Sequence, residues 1–156
     1  KSTYENDFAG AEADFKRAIE LNPDSPMARA LYANFLIIPG RFDEALFQNQ
    51  KAREIEPAVI THKINHGMTL YYARRYEEAI IYFKKLIEDD KNLSYAYFWM
   101  WLLSDLQGSE PQAFEWFIKY QTQIKTAPGK IAIYQNSYQK SGWKGILEEL
   151  IKDDEK

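Results

Sequence analysis

Four alanines, Ala11, Ala45, Ala79 and Ala113, stand 34 residues apart. A chain that returns to the same small residue at that interval is built by repeating one supersecondary unit. The surroundings repeat as well. Phe8, Phe42 and Tyr76 lie three residues before the first three alanines, and Phe15, Phe83 and Phe117 lie four residues after the first, third and fourth. Ala18 and Ala52 follow the first two by seven residues, and Pro23 and Pro57 follow them by twelve.

An aromatic, a small residue and another aromatic at spacings of three and four share one face of a helix. The alanine permits close approach of a neighbouring helix, and the rings fill the space beside it. Proline cannot continue a helix and marks the passage to the next unit. Gly40 and Gly108 fall at the turn inside two units, where a residue without Cβ is favoured after a helix end. Asp24-Ser25-Pro26, Ser109-Glu110-Pro111 and Ala127-Pro128 read as helix starts.

The pattern resembles the tetratricopeptide repeat, a helix-turn-helix unit of 34 residues. Arg41-Phe42-Asp43-Glu44-Ala45 and Arg75-Tyr76-Glu77-Glu78-Ala79 match the opening of its second helix, Ala18 to Pro23 its end, and Gly67 the small residue of its first helix. The resemblance implies an all-α right-handed superhelical solenoid of antiparallel helix pairs and no enzymatic activity. Nine helices are expected, near 8–21, 26–38, 42–55, 59–73, 76–89, 93–107, 110–124, 128–140 and 143–152. They form one domain over 1–156, with units near 8–25, 26–58, 59–92, 93–126 and 127–152. The first unit keeps only its second helix, whose apolar face then needs cover from upstream residues or another chain. The chain reads as a fragment of a longer protein. Departures occur where Arg29 and Lys63 replace the early aromatic, Asn49 replaces the ring after Ala45, and Lys91 replaces the closing proline. The last unit is displaced by about one residue at Gly142-Trp143.

The resemblance implies a binding groove on the first helices. By repeat phase it takes Ala30, Asn34 and Ile37, then Ile64, Met68, Tyr71 and Tyr72, then Tyr95, Phe98 and Leu102, then Ala132, Asn136 and Gln139. The block from Tyr95 to Leu103 is apolar all round, so Tyr97, Met100, Trp101 and Ser104 are expected in the core. Rings supply binding energy and side-chain amides can hold a peptide backbone. The family's carboxylate clamp for chaperone C-termini needs basic residues where Ala30, Tyr95 and Trp99 stand, so a chaperone-tail receptor is not expected. The arrays that this one looks like lie C-terminal to DNA-binding or cyclase domains in bacteria. That implies a bacterial, cytoplasmic scaffold in signalling or transcription regulation, with a protein or peptide partner. The alternative is self-association that sets the oligomeric state of the parent, as a homodimer for example.

Other chemistries find little support. The formal charge is −3, and 46% of the 156 residues are hydrophobic, 15% aromatic. That disfavours a phosphate-tracking surface and whole-chain disorder. With no cysteine, thiol nucleophiles, disulfides and cysteine metal sites are absent, which fits a reducing compartment. The most apolar segment, Tyr95 to Leu106, is too short to span a bilayer and is broken by Ser104 and Asp105. His62 and His66 share a face at i, i+4, but no third ligand is evident, so no metal or cofactor is expected. The carboxylate groups Glu77-Glu78, Glu88-Asp89-Asp90 and Glu148-Glu149 read as solvated faces rather than a facing catalytic pair.

Overall fold

The structure, a computed structural model, describes residues 3–154. Its described residues are helical, with no strand among them: α1 Thr3–Leu21, α2 Pro26–Ile37, α3 Phe42–Ile55, α4 Ile60–Tyr72, α5 Tyr76–Asp89, α6 Ser94–Leu106, α7 Glu110–Gln123 and α8 Pro128–Asp154. Eight helices thus stand where nine were expected. The last two are continuous except at Gly142, whose φ of 59° and ψ of −146° break the helix. α1 begins five residues before its expected start. The chain forms two compact units, Lys1–Ala79 and Ile80–Lys156.

In the first unit, consecutive helices from α1 to α4 pack on one another, and α2 also lies beside α4. α2 starts where Ser25 accepts the Ala28 N–H at 3.2 Å and Pro26 sets the first turn. Arg29, which replaces an aromatic, donates instead to the Pro23 carbonyl at 2.8 and 3.0 Å and to Gln48 at 3.0 Å. The core joins Tyr32, Ala33, Leu36 and Ala45 to Phe15, Ile19, Phe35 and Ile37. α1 is pinned by Glu12, which accepts from Tyr32 at 3.0 Å and pairs with Lys16 at 2.8 Å and Arg41 at 2.7 Å. Lys16, then Arg41, lowers the Glu12 carboxyl to a pKa of about 2.

Asn49 shows how this unit tolerates the loss of a ring. It is fully buried, and its amide donates to Thr69 Oγ1 at 2.9 Å while that hydroxyl donates to the Asn65 carbonyl at 2.8 Å. A side-chain pair replaces an aromatic contact between α3 and α4.

The turns obey the same 34-residue interval. Gly40, Arg74, Gly108 and Gly142 all have positive φ, at 79°, 58°, 72° and 59°. At the first three, the following residue's N–H reaches back to the carbonyl five residues earlier: Arg41 to Leu36, Arg75 to Leu70 and Ser109 to Ser104. This is the left-handed closure that favours glycine. Of these positions only Arg74 carries a Cβ; Lys125, with φ 60°, makes the same closure after α7, where the Thr126 N–H returns to the Gln121 carbonyl. Arg74→Gly is therefore expected to raise the unfolding free energy by about 1 kcal/mol, read as a higher urea midpoint. A lower midpoint would show that the Arg74 side chain outweighs the backbone cost.

In the second unit, Ala113, Phe117 and Phe83 are fully buried, and Phe83 stacks parallel on Trp99 at 6.0 Å. Around α7 and α8 the core is largely aromatic: Phe117, Tyr134 and Ile146 are covered by Trp101, Phe114, Tyr138 and Trp143 among others. Trp101 occupies the phase of Ala33 and Gly67, so a large ring stands where a small residue would draw helices together. Trp101 stacks on Trp143 at 5.9 Å and meets Phe117 edge-on at 5.0 Å. After Gly142 the helix resumes one residue out of phase. Ile146 is buried where Leu147, 34 residues after Ala113, would have been.

Candidate peptide-binding faces

The side-by-side helices α2 and α4 present the candidate face of the first unit. Asn34 is exposed on α2, and Ile64 and Met68 are half-buried on α4. Tyr71 is half-buried, edge-on to Tyr72 at 5.4 Å and 5.9 Å from Tyr76. Tyr72 is 47% exposed. Ala30, placed in the groove by repeat phase, is buried instead, because α2 turns that position toward its helical neighbours. Two further apolar residues, Met27 of α2 and Ile38 at its end, are exposed although no role was expected for them. Their signal lies in the interval: Met27 is two intervals before Tyr95, and Ile38 one interval before Tyr72.

The candidate residues of the second unit divide by role. Tyr95 is 64% exposed. Phe98 is half-buried and edge-on to Trp101 and Trp99, each at 5.8 Å, with Tyr120 at 5.5 Å. Leu102 is half-buried and Asn136 is exposed on α8, as are Ala132 and Gln139. Tyr97, Met100 and Ser104 are buried, while Trp101 is only half-buried. Trp99 is buried against Phe83, so the position where a clamp would carry a basic group is part of the core.

None of the thirteen residues assigned to these faces by repeat phase is charged. They offer rings, a thioether, aliphatic side chains and amides, which suit uncharged side chains and peptide backbone. Exposed Asp105 and Lys140 share the phases of Tyr71 and Tyr72, and the other charged groups sit elsewhere. Arg41 and Arg75, one interval apart, each grip the glutamate three residues on, at 2.6 Å for their closest contacts. Each guanidinium also reaches back to the preceding second helix, Arg41 to Glu12 at 2.7 Å and Arg75 to Asp43 at 3.2 Å. Glu77, Glu88, Asp89, Asp90 and Glu148 are exposed, scattered rather than convergent.

His62 is buried, with its Nε2 at 3.4 Å from Glu56, and His66 is partly buried. Burial, then the positive charges of Arg53 and Arg75, lowers His66 to a pKa of about 4. His66 is therefore neutral near pH 7, as a core position demands. Among the described residues, no group of three or more His, Asp or Glu gathers to hold a metal ion. No helix among them is long and apolar enough to cross a membrane.

Repeated helix pairs with a partly aromatic face define the class of helical-repeat interaction modules. Family profiles described as Tetratricopeptide repeat match residues 3–59 and 63–93. The chain belongs to the tetratricopeptide-repeat family, whose members are protein-interaction scaffolds. Among solved structures it is similar to a crystal structure of MamA at 17% identity, covering 97% of this chain and 94% of that one with a TM-score of 0.67. It is also similar to YrrB, described as a TPR protein with an unusual peptide-binding site. That match has 20% identity, 96% and 78% coverage and a TM-score of 0.56. At these identities the likeness shows the fold.

Proposed function

We propose that the chain is a non-enzymatic scaffold, one repeat domain over 1–156, that captures an uncharged, aromatic- or aliphatic-rich segment of another protein on its first-helix faces. The carrying observation is that Met27, Ile38, Tyr72 and Tyr95, all at groove phase, are exposed, while charge at these phases is limited to Asp105 and Lys140. Large rings at such positions supply most of the energy of peptide capture. The peptide-binding site named for YrrB supports the reading. The net charge of −3 supports a protein partner over nucleic acid. The likeness to bacterial arrays beside DNA-binding or cyclase domains supports a cytoplasmic role within a larger regulatory protein.

A random peptide library displayed on phage and selected on the immobilised chain tests this. Enriched peptides are expected to be poor in charge and to bind about tenfold more weakly to Tyr72→Ser or Tyr95→Ser. Ile81→Ser, an equally exposed change outside the assigned faces, should leave affinity unchanged. Failure to enrich any peptide, or equal binding to all three variants, would refute the proposal.

A further inference from the structure

One place in the repeat is built from opposite chemistry in the two units. In the first unit, Arg29 donates to the Pro23 carbonyl at 2.8 Å and to Gln48 at 3.0 Å. Further along α3, Gln50 donates to Glu54 at 2.9 Å and Lys51 pairs with that carboxylate at 2.7 Å. Two intervals on, the residues at the phases of Arg29, Gln48, Gln50, Lys51 and Glu54 are Tyr97, Trp116, Ile118, Lys119 and Thr122. Tyr97 keeps the tether, since its hydroxyl donates at 3.0 Å to the carbonyl of Lys91, which stands at the phase of Pro23. Elsewhere two amides and a carboxylate give way to an indole, an aliphatic chain and a hydroxyl.

A cavity of about 300 Å³ lies at this place, between α5, α6 and α7. All its lining residues belong to the second unit, and none is assigned to the peptide-binding faces. Ile87, Tyr97, Trp116 and Ile118 give it apolar and aromatic walls. The Tyr97 and Trp116 rings are tilted by 54° with centroids 6.0 Å apart. Close-packed helices leave few voids larger than a water molecule, and a space of this size is the smallest that ligand pockets use.

Among the lining residues Lys119 alone is charged. Its Nζ lies over the Trp116 ring, 4.2 Å from the centroid, and 2.6 Å from Glu115 one turn back. Glu115 is 62% exposed at its side chain, so this ion pair is solvated and weak, and another anion can displace it at small cost. Lys51 pairs with an acid three residues on, whereas Lys119 has Thr122 there.

We infer that the cavity is a binding site for a small planar aromatic acid, with its ring against Trp116 and its carboxylate on Lys119. Volume selects one or two fused rings. Aromatic walls favour a flat face, and the ammonium favours a negative group.

Titration of the isotope-labelled chain with naphthoate and its neutral isostere naphthamide tests the inference. The Trp116 indole N–H signal, identified by its loss in Trp116→Phe, should shift with a Kd of about 1 mM or lower for naphthoate. Naphthamide should bind about tenfold more weakly. Lys119→Gln should bring the two ligands to similar affinity. Ile118→Gln and Thr122→Glu restore the residues of the first unit at positions that are half-buried and exposed. The former should weaken both ligands and the latter chiefly naphthoate, each about fivefold or more, with unchanged helical circular dichroism. Lys51→Gln, at the phase of Lys119 in the first unit, and Tyr72→Ser, on a peptide-binding face, should change neither. No shift at Trp116 with either ligand overturns the inference. So do equal affinities of the wild type for the two ligands, or naphthoate binding untouched by Lys119→Gln.

Discussion

Phe117→Ala is expected to lower the unfolding free energy by about 3–5 kcal/mol. The ring is 1% exposed and meets Trp101 at 5.0 Å, Tyr134 at 5.3 Å and Trp143 at 5.5 Å, each edge-on. Its removal takes away both the burial of a large apolar side chain and the support of three other rings, which cannot all move into the space. Urea unfolding followed by tryptophan fluorescence measures the loss, since Trp101 and Trp143 report directly on the site. The control is Phe47→Ala, whose ring is largely exposed and whose loss should cost far less. A change under about 1 kcal/mol for Phe117→Ala would mean that the aromatic cluster is loosely packed.

Gly145→Ala is the second large effect, and its sign is the informative part. Helix propensity alone favours alanine over glycine by about 1 kcal/mol. At this position, however, a Cβ would lie 2.4 Å from the Ser137 carbonyl oxygen and 2.9 Å from its carbon. The obstacle is backbone, so relief requires the two arms of α8 to part. A net loss of about 2–3 kcal/mol is expected. Gly10→Ala in α1 meets nothing within 4 Å and should show the propensity gain instead. Melting temperatures of the two variants should move in opposite directions. A stabilised Gly145→Ala would show that the arms do not approach each other as described.

Periodicity made the helices legible because each interior unit solves the same packing problem. Three of the four phased alanines are fully buried, and the phase of the positive-φ positions extends from Gly40 to Gly142. Two kinds of information lay outside that pattern. The first is the path of the chain after a helix breaks: Gly142 keeps its place in the interval, but its ψ of −146° brings the next helix into phase one residue early. A count of 34 then points to Leu147 where the molecule buries Ile146. The second is competition among neighbours on one helix. Tyr95 and Phe98 have equal claims to the groove by phase, yet Phe98 is held by Trp99, Trp101 and Tyr120 and Tyr95 by none of these rings. Ala30 is buried while Ala132, three intervals on, is exposed, so a small residue at this phase takes its exposure from the helices beside it. Met27 and Ile38 carry the same phase as the exposed tyrosines, but a single aliphatic side chain is a weaker signal than a ring.

The polar pair of Asn49 and Thr69 has a consequence for how a repetitive chain assembles. Helices that share a pattern also share the ability to dock on the wrong partner, since an alanine flanked by rings looks alike in every unit. On α2 and α6 the residues at the phase of Thr69 are Phe35 and Leu103, so docked there the Asn49 amide would lose its hydroxyl acceptor, at a cost of about 1–3 kcal/mol. A single carboxamide thus acts as an address label that turns α3 away from α2 and α6 as mispaired partners.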